Sequence, residues 1–173
     1  MEFRALRAPF SDGVKQRLAA FDCGESVVNN YLHGDQPESA AASHIGATYV
    51  LAENGTLAGY AALVLSQMRL STGEKKLHDL AWRDFGALRL AMIGVDVRFQ
   101  RRGYGAALLE YVAGLALNMG EVVPIRYLVA DANPHRHDWY TARGWVDNNS
   151  AYEKSRTEAS GAISMRYDLH PPS

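Results

Sequence analysis

Six residues, Gln100-Arg101-Arg102-Gly103-Tyr104-Gly105, combine a glycine-bearing turn with two adjacent cations. They follow an apolar, β-compatible run ending at Val97. They precede Ala107, Leu108, Tyr111, Val112 and Leu115, which recur at helical spacing. Strand, tight turn and helix in that order suit the binding of an anion. A helix start presents unused backbone N–H groups and the positive end of its dipole. Glycines let the backbone approach a phosphate without a Cβ in the way. Arg101 and Arg102 add charge from the rim. The glycine spacing is not that of a dinucleotide fingerprint, and the Gly-Lys-Ser/Thr end of a Walker A loop is missing. Read alone, the two glycines fit an ordinary helix start with solvated arginines better than a phosphate site.

A second chemistry-bearing segment runs from Val129 to Trp145, VADANPHRHDWYTARGW. Asn133-Pro134 reads as a cap followed by proline in the first turn of a helix. His135 and His137 stand two apart on that helix and so do not share a face, which favours a surface pair over a metal site. Cys23 has no neighbouring histidine in sequence and reads as a buried structural thiol.

These residues need elements to position them. The pattern predicts an opening strand over 3–6, short helices over 14–21 and 25–32, and a helical turn or two over 38–44. Strands over 49–52 and 57–65 flank Asn54-Gly55, a strong hairpin signal, with Gly59 at a bulge or close approach. Residues 67–88 show no decisive period. A central strand over 88–97 leads into a helix over 103–118, ended by Gly120. A strand over 122–130 carries Pro124 near its start. A helix from Asn133 ends at Gly144. A polar hairpin region follows Trp145-Val146, then an amphipathic strand over 163–169 and a tail over 170–173. Trp82, Phe85 and Tyr49 are read as core aromatics, with Trp82 a candidate for lining an acceptor cleft.

The chain has 173 residues, a formal net charge of −1 and one cysteine. That length suits a single domain over 1–173 with a substantial core. No apolar run is long enough to span a membrane, and no export signal is read at the N-terminus. A lone cysteine excludes an intrachain disulfide and suits a reducing, cytoplasmic setting. The global charge lends no support to general nucleic-acid binding, although local basic patches remain open.

Gln100 to Gly105, after Val95-Asp96, resembles the acetyl-coenzyme A signature of the GNAT superfamily of N-acetyltransferases. The second segment resembles the other superfamily motif, with asparagine seven residues before a tyrosine and glycine four after it. Asn133, Tyr140 and Gly144 match both spacings; Arg136 stands where a small residue is usual. The resemblance implies an α/β (α+β) GNAT fold, a mixed, mostly antiparallel, splayed sheet flanked by helices. It implies acetyl-CoA as cofactor. Amides from Arg101 to Ala106, through Arg102, Gly103, Tyr104 and Gly105, would hold the pyrophosphate. Ile93, Gly94 and Val95 would pair with the pantetheine amides, and Asn133 would bind the same arm or cap its helix. Gln100 belongs to the signature. Tyr140 inherits the role of general acid toward the leaving thiolate. An amine attacking the thioester needs a base or a water path. Asp96, Glu110, His78, Asp79 and His135 are candidates, none singled out. Asp96 reads more naturally as a strand end and Glu110 as a solvated helix residue.

Phe21-Asp22-Cys23-Gly24, a short helix ending in Tyr31-Leu32, and Thr48-Tyr49-Val50 resemble the toxin branch of this superfamily. Those bacterial toxin–antitoxin proteins acetylate the α-amino group of aminoacyl-tRNA. The resemblance implies a tRNA acceptor, a small antitoxin partner and, as is common among GNAT proteins, a homodimer. A basic surface for RNA would draw on Arg98, Arg101, Arg102, Arg136 and Arg143. Two other readings stay open. One is a GNAT acting on a small-molecule, polyamine or protein amine. The other is a coenzyme-binding regulatory or structural protein without turnover.

Overall fold

The computed structural model describes residues 1–171; Pro172 and Ser173, the end of the expected tail, lie outside the described residues. The strands form one mixed, seven-stranded open sheet in the order β1-β2-β3-β4-β5-β7-β6. Contacts group the chain into two units, Met1–Val64 with Ala91–Val112, and Leu65–Leu90 with Ala113–Ser173. Three elements run through both: β3 (Thr56–Arg69), β4 (Asp84–Val95) and α5 (Tyr104–Gly120).

In the first unit, β1 (Glu2–Ala5) pairs antiparallel with β2 (Ala47–Glu53), and β2 with β3. Asn54 and Gly55 join β2 to β3 with φ of 49° and 78°. Two consecutive left-handed residues match the twist of a hairpin, which is why Asn-Gly stands there. Three short helices, α1 (Asp12–Ala19), α2 (Ser26–His33) and α3 (Gln36–Ala42), lie between β1 and β2. Ser11 caps α1 by accepting from the Val14 amide, and Pro37 sits in the first turn of α3. Phe10, Leu18, Phe21, Leu32, Leu57 and Tyr60 form the core. The Tyr60 hydroxyl donates to Val28 O at 2.6 Å, so the buried phenol is satisfied. Gly59 is a close approach, as its sequence position suggested. A Cβ there would lie 2.9 Å from Gly94 O and 3.0 Å from Leu108.

In the second unit, β5 (Tyr127–Ala132) pairs parallel with β4 from Ala87↔Tyr127 to Leu90↔Ala130. It pairs antiparallel with β7 (Ile163–Asp168), which also holds the two-residue β6 (Val146–Asp147). Met68, Leu70, Ala87, Tyr127 and Val129 are the buried centre. The remaining helices are α4 (Thr72–Leu77), α6 (His137–Thr141) and α7 (Ala151–Glu158).

Several boundaries depart from the sequence reading. The central strand runs over Asp84–Val95 rather than 88–97. The undecided stretch 67–88 resolves into the end of β3, then α4, then the start of β4. Ser71 and Glu74 close a reciprocal capping box on α4, a Ser-x-x-Glu signal present in the sequence. The strand expected from 122 begins only at Tyr127. Pro124 cannot donate to a ladder, and Val122 and Val123 are exposed. The helix after Asn133 is split into a 3-10 turn, Pro134–Arg136, and α6. The region after Val146, expected as a polar hairpin, contains α7. Ser150 caps it, and Glu153, buried on the helix's inner face, accepts from Arg156 Nε, Ser164 Oγ and the Arg69 amide. Trp82 is not core; it is 76% exposed.

Candidate active site

The 100–105 loop is built on Phe99. Its ring meets Tyr104 edge-on at 5.4 Å, and the Arg102 guanidinium lies 6.0 Å from it. Arg101 and Gly103 hold positive φ of 60° and 86°. A left-handed non-glycine residue is uncommon and marks a loop held in place by its surroundings. The Gln100 side-chain amide donates to Cys23 O and Val95 O, both at 2.9 Å. Gln100 therefore ties the loop to the end of β4 and to the 21–24 turn, and its amide nitrogen faces the protein.

The Ala107 amide donates to Gly103 O at 3.0 Å. The amides of Tyr104, Gly105 and Ala106 precede that bond, so the helix leaves them unused. A Cβ on Gly103 would meet nothing within 4 Å, which leaves the loop's outer surface open. Arg101 and Arg102 are exposed beside it. Free amides, a helix start and two cations fit a pyrophosphate.

Packing requires Gly94. A Cβ there would approach Val28 Cγ1 at 2.8 Å, Phe21 at 3.1 Å and the Tyr60 ring at 3.2 Å. Ile93 and Val95, on either side of it, are half-buried. The strand pairing of β4 with β5 ends at Leu90, and Ile93, Gly94 and Val95 lie beyond that register.

Asp96 follows as a strand end. Its carboxylate receives Arg98 Nε at 2.7 Å, Arg98 Nη2 at 2.9 Å and the Asp22 amide at 3.2 Å. Burial pushes its pKa up, but the Arg98 bonds outweigh that and hold the carboxyl below the ordinary value. Asp96 is a structural anion and a poor base. Of the other base candidates, Glu110, His78, Asp79 and His135 are all exposed, and nothing in their surroundings singles one out.

In the second unit, the Asn133 carbonyl accepts from the His135 amide at 3.0 Å, the capping role allowed by its position. Among the described residues its amide nitrogen donates to no protein group. Tyr140 is 6% exposed, packed edge-on to Trp139 at 4.9 Å and to Trp145 at 5.1 Å. Its hydroxyl makes no protein hydrogen bond among the described residues. Burial raises its pKa, against a smaller opposing effect of Arg136, to about 12. The phenol is thus fully protonated near neutral pH. Gly144 turns the chain at φ 80°, where a Cβ would touch the Tyr167 ring at 3.4 Å.

His137 does not assemble a metal site with His135. Its Nε2 pairs with Asp147 at 2.8 Å, and no metal-ligand cluster exists among the described residues. Cys23 is buried, as expected. The five arginines named as a basic patch are partly committed. Arg98 is held by Asp96, and Arg143 stacks 4.3 Å over Trp139.

Sequence reasoning missed one polar cluster. Asp131, two residues before Asn133, receives both guanidinium arms of Arg156 at 2.6 Å and Arg89 Nη1 at 3.0 and 3.1 Å. Burial opposes its ionisation, but the two arginines outweigh that and lower its pKa. Nothing in the local sequence links positions 89, 131 and 156.

The acetyltransferase (GNAT) family model matches residues 18–145. No curated protein matches the sequence. Solved structures do match. One is a crystal structure of a bacterial toxin, 22% identical over 97% of this chain and 90% of that one, with a TM-score of 0.80. Another is AtaT complexed with acetyl-methionyl-tRNAfMet, 18% identical over 96% of this chain and 95% of that one, TM-score 0.75. A third is an AtaT mutant toxin bound to the C-terminus of the antitoxin AtaR and acetyl-CoA. It is 18% identical over 97% of this chain and 92% of that one, TM-score 0.73. At such identities the likeness is one of fold.

Proposed function

Because the chain belongs to the acetyltransferase (GNAT) family, an enzyme family that uses acetyl-CoA, we propose that its acceptor is the α-amino group of an aminoacyl-tRNA. Under this reading the 173 residues act as one domain, a toxin with a small antitoxin partner. A cytoplasmic location and a homodimer belong to the same reading. No helix among the described residues is long and apolar enough to cross a membrane.

Acetyl-CoA supplies an acyl group activated as a thioester. The amides of Arg101 to Ala106 bind its pyrophosphate, with Arg101 and Arg102 adding charge. The backbone of Ile93, Gly94 and Val95 holds the pantetheine arm. Tyr140 Oη keeps its proton at neutral pH and donates it where a thiolate leaves. The observation that carries acetyl transfer is Tyr140: a buried phenol, protonated, with no protein partner for its hydroxyl among the described residues. The likeness to AtaT in complex with acetyl-methionyl-tRNAfMet, over 96% of the chain, supports the acceptor.

A small-molecule or polyamine acceptor is the second reading, favoured by the formal charge of −1 and by arginines already held inside the protein. Transfer of label from acetyl-CoA is measured on charged tRNA, spermidine and peptides in parallel. Label on the aminoacyl group supports the proposal. Turnover of spermidine or a peptide with none on charged tRNA overturns it.

A further inference from the structure

Wholly within the second unit, a cavity of about 500 Å³ is lined by Leu65, Ser66, Gln67, Arg89, Tyr152 and Arg156. That volume is within the usual range for a small-ligand site. Arg89 and Arg156 are both clamped on Asp131. Arg89 also donates to Ser66 Oγ at 3.3 Å. Arg89 sits one residue before the last parallel pair of β4 and β5, and Asp131 one residue after it. Tyr152 is 54% exposed, with the Arg69 guanidinium 5.3 Å over its ring. Leu65, beside it in the lining, is 66% exposed.

The chemistry of this cavity selects against a cation. Among the described residues, no acidic side chain lines it. The two Asp131 oxygens already receive four guanidinium N–H bonds, which fills a carboxylate's acceptor sites. Glu153 is fully buried and turned to Arg69, Arg156 and Ser164. An ammonium group entering here meets two arginines whose charges Asp131 and Glu153 already offset, and carboxylates with no acceptor site to spare. A nucleotide meets complementary groups. A base stacks on an exposed aromatic ring already backed by a guanidinium, and stacking of this kind tolerates any base. Remaining guanidinium N–H groups suit a phosphate or ribose oxygen. Ser66 and Gln67 supply neutral donors and acceptors for a base edge.

We propose that this cavity holds the 3′-terminal nucleotide of an RNA acceptor, with its base against Tyr152 and Leu65 and its backbone toward Arg89. The inference rests on the proposed function, because it names where that acceptor's RNA end is gripped.

The test is direct binding of the trinucleotide CCA to the full chain, with coenzyme A saturating so that its own nucleotide does not confuse the reading. CCA is expected to bind, Tyr152→Ala to weaken it tenfold or more, and Tyr152→Trp to restore it. Acetyl-CoA affinity is expected to stay unchanged in both variants. Equal CCA affinity in Tyr152→Ala overturns the proposal, as does displacement of CCA by spermidine. AMP binding as tightly as CCA assigns the cavity to free nucleotides and overturns the RNA terminus. Turnover plays no part in this titration. CCA binding through Tyr152 without acetylation of charged tRNA therefore marks failure of the proposed function alone.

Discussion

Replacing Tyr140 by phenylalanine removes one oxygen and leaves the ring. The ring packs edge-on against Trp139 and Trp145, and those contacts do not involve the hydroxyl. The hydroxyl donates to no protein group among the described residues, so its removal strands no partner. A lost hydrogen bond is the usual origin of a stability change of about 1 kcal/mol in such a variant. Tyr140→Phe is therefore expected to unfold within about 1 kcal/mol of the parent protein. Catalysis is the opposite case. With its pKa raised to about 12 by burial, the phenol is protonated at any pH used for assay and can act as an acid. Loss of a positioned acid slows a reaction by roughly 10²–10⁴-fold, about 3–5 kcal/mol in the barrier. The assay is kcat for acetyl transfer, with acetyl-CoA affinity measured separately by titration. A large fall in kcat with unchanged coenzyme affinity is expected. A kcat within threefold of the parent, in a folded protein, refutes the acid role.

Gly94→Ala places a methyl 2.8 Å from Val28 and 3.1 Å from Phe21. Overpacking of this kind costs about 1–3 kcal/mol, read as a Tm lowered by several degrees, and an unchanged Tm contradicts the packing account. Glu153→Ala removes a fully buried carboxylate from Arg156, Ser164 and the Arg69 amide. Breaking one partner of a buried pair costs about 3–5 kcal/mol. Arg156 keeps Asp131, so denaturant unfolding is expected to show the lower end of that range. His137 is raised above its ordinary pKa of 6.5 by its bonds to Asp147 and Asp138. Its charged form therefore contributes fully below 6.5 and fades as pH rises through the raised value. NMR titration should place its midpoint above 6.5, and Asp147→Asn should bring it down; a midpoint at or below 6.5 in the parent contradicts the pairing.

Much of the candidate site was legible because its signals are local. The order of strand, Gln100 to Gly105 and helix is written in contiguous residues. Asn133, Tyr140 and Gly144 sit at fixed offsets on one turn-and-helix segment. Asn54-Gly55 specifies its own hairpin geometry. Two further local signals, Ser71-Glu74 and Ser150-Glu153, were there to be read as helix starts, and α4 and α7 sit behind them. Periodicity does not single them out, because both helices are polar and short, with no apolar stripe to mark them.

Tertiary structure decided what those residues are free to do. The sequence shows a glutamine in a coenzyme signature. Folding turns the Gln100 amide onto Cys23 O, 77 residues away, and makes it a brace. Asp96 is a carboxylate at a strand end by sequence; Arg98 and the Asp22 amide make it a structural anion. Glycine at 94 reads as backbone for a ligand, and only the packing of Val28, Phe21 and Tyr60 shows that a Cβ has nowhere to go. Arg89, Asp131 and Arg156 meet because parallel strand pairing and a covering helix bring together positions far apart in the chain. The chain by itself determined the family chemistry, since a helix start and a capped turn are made by neighbours in sequence. Which charges are already paired, and which cavity an acceptor meets, depend on long-range contacts that no local spacing encodes.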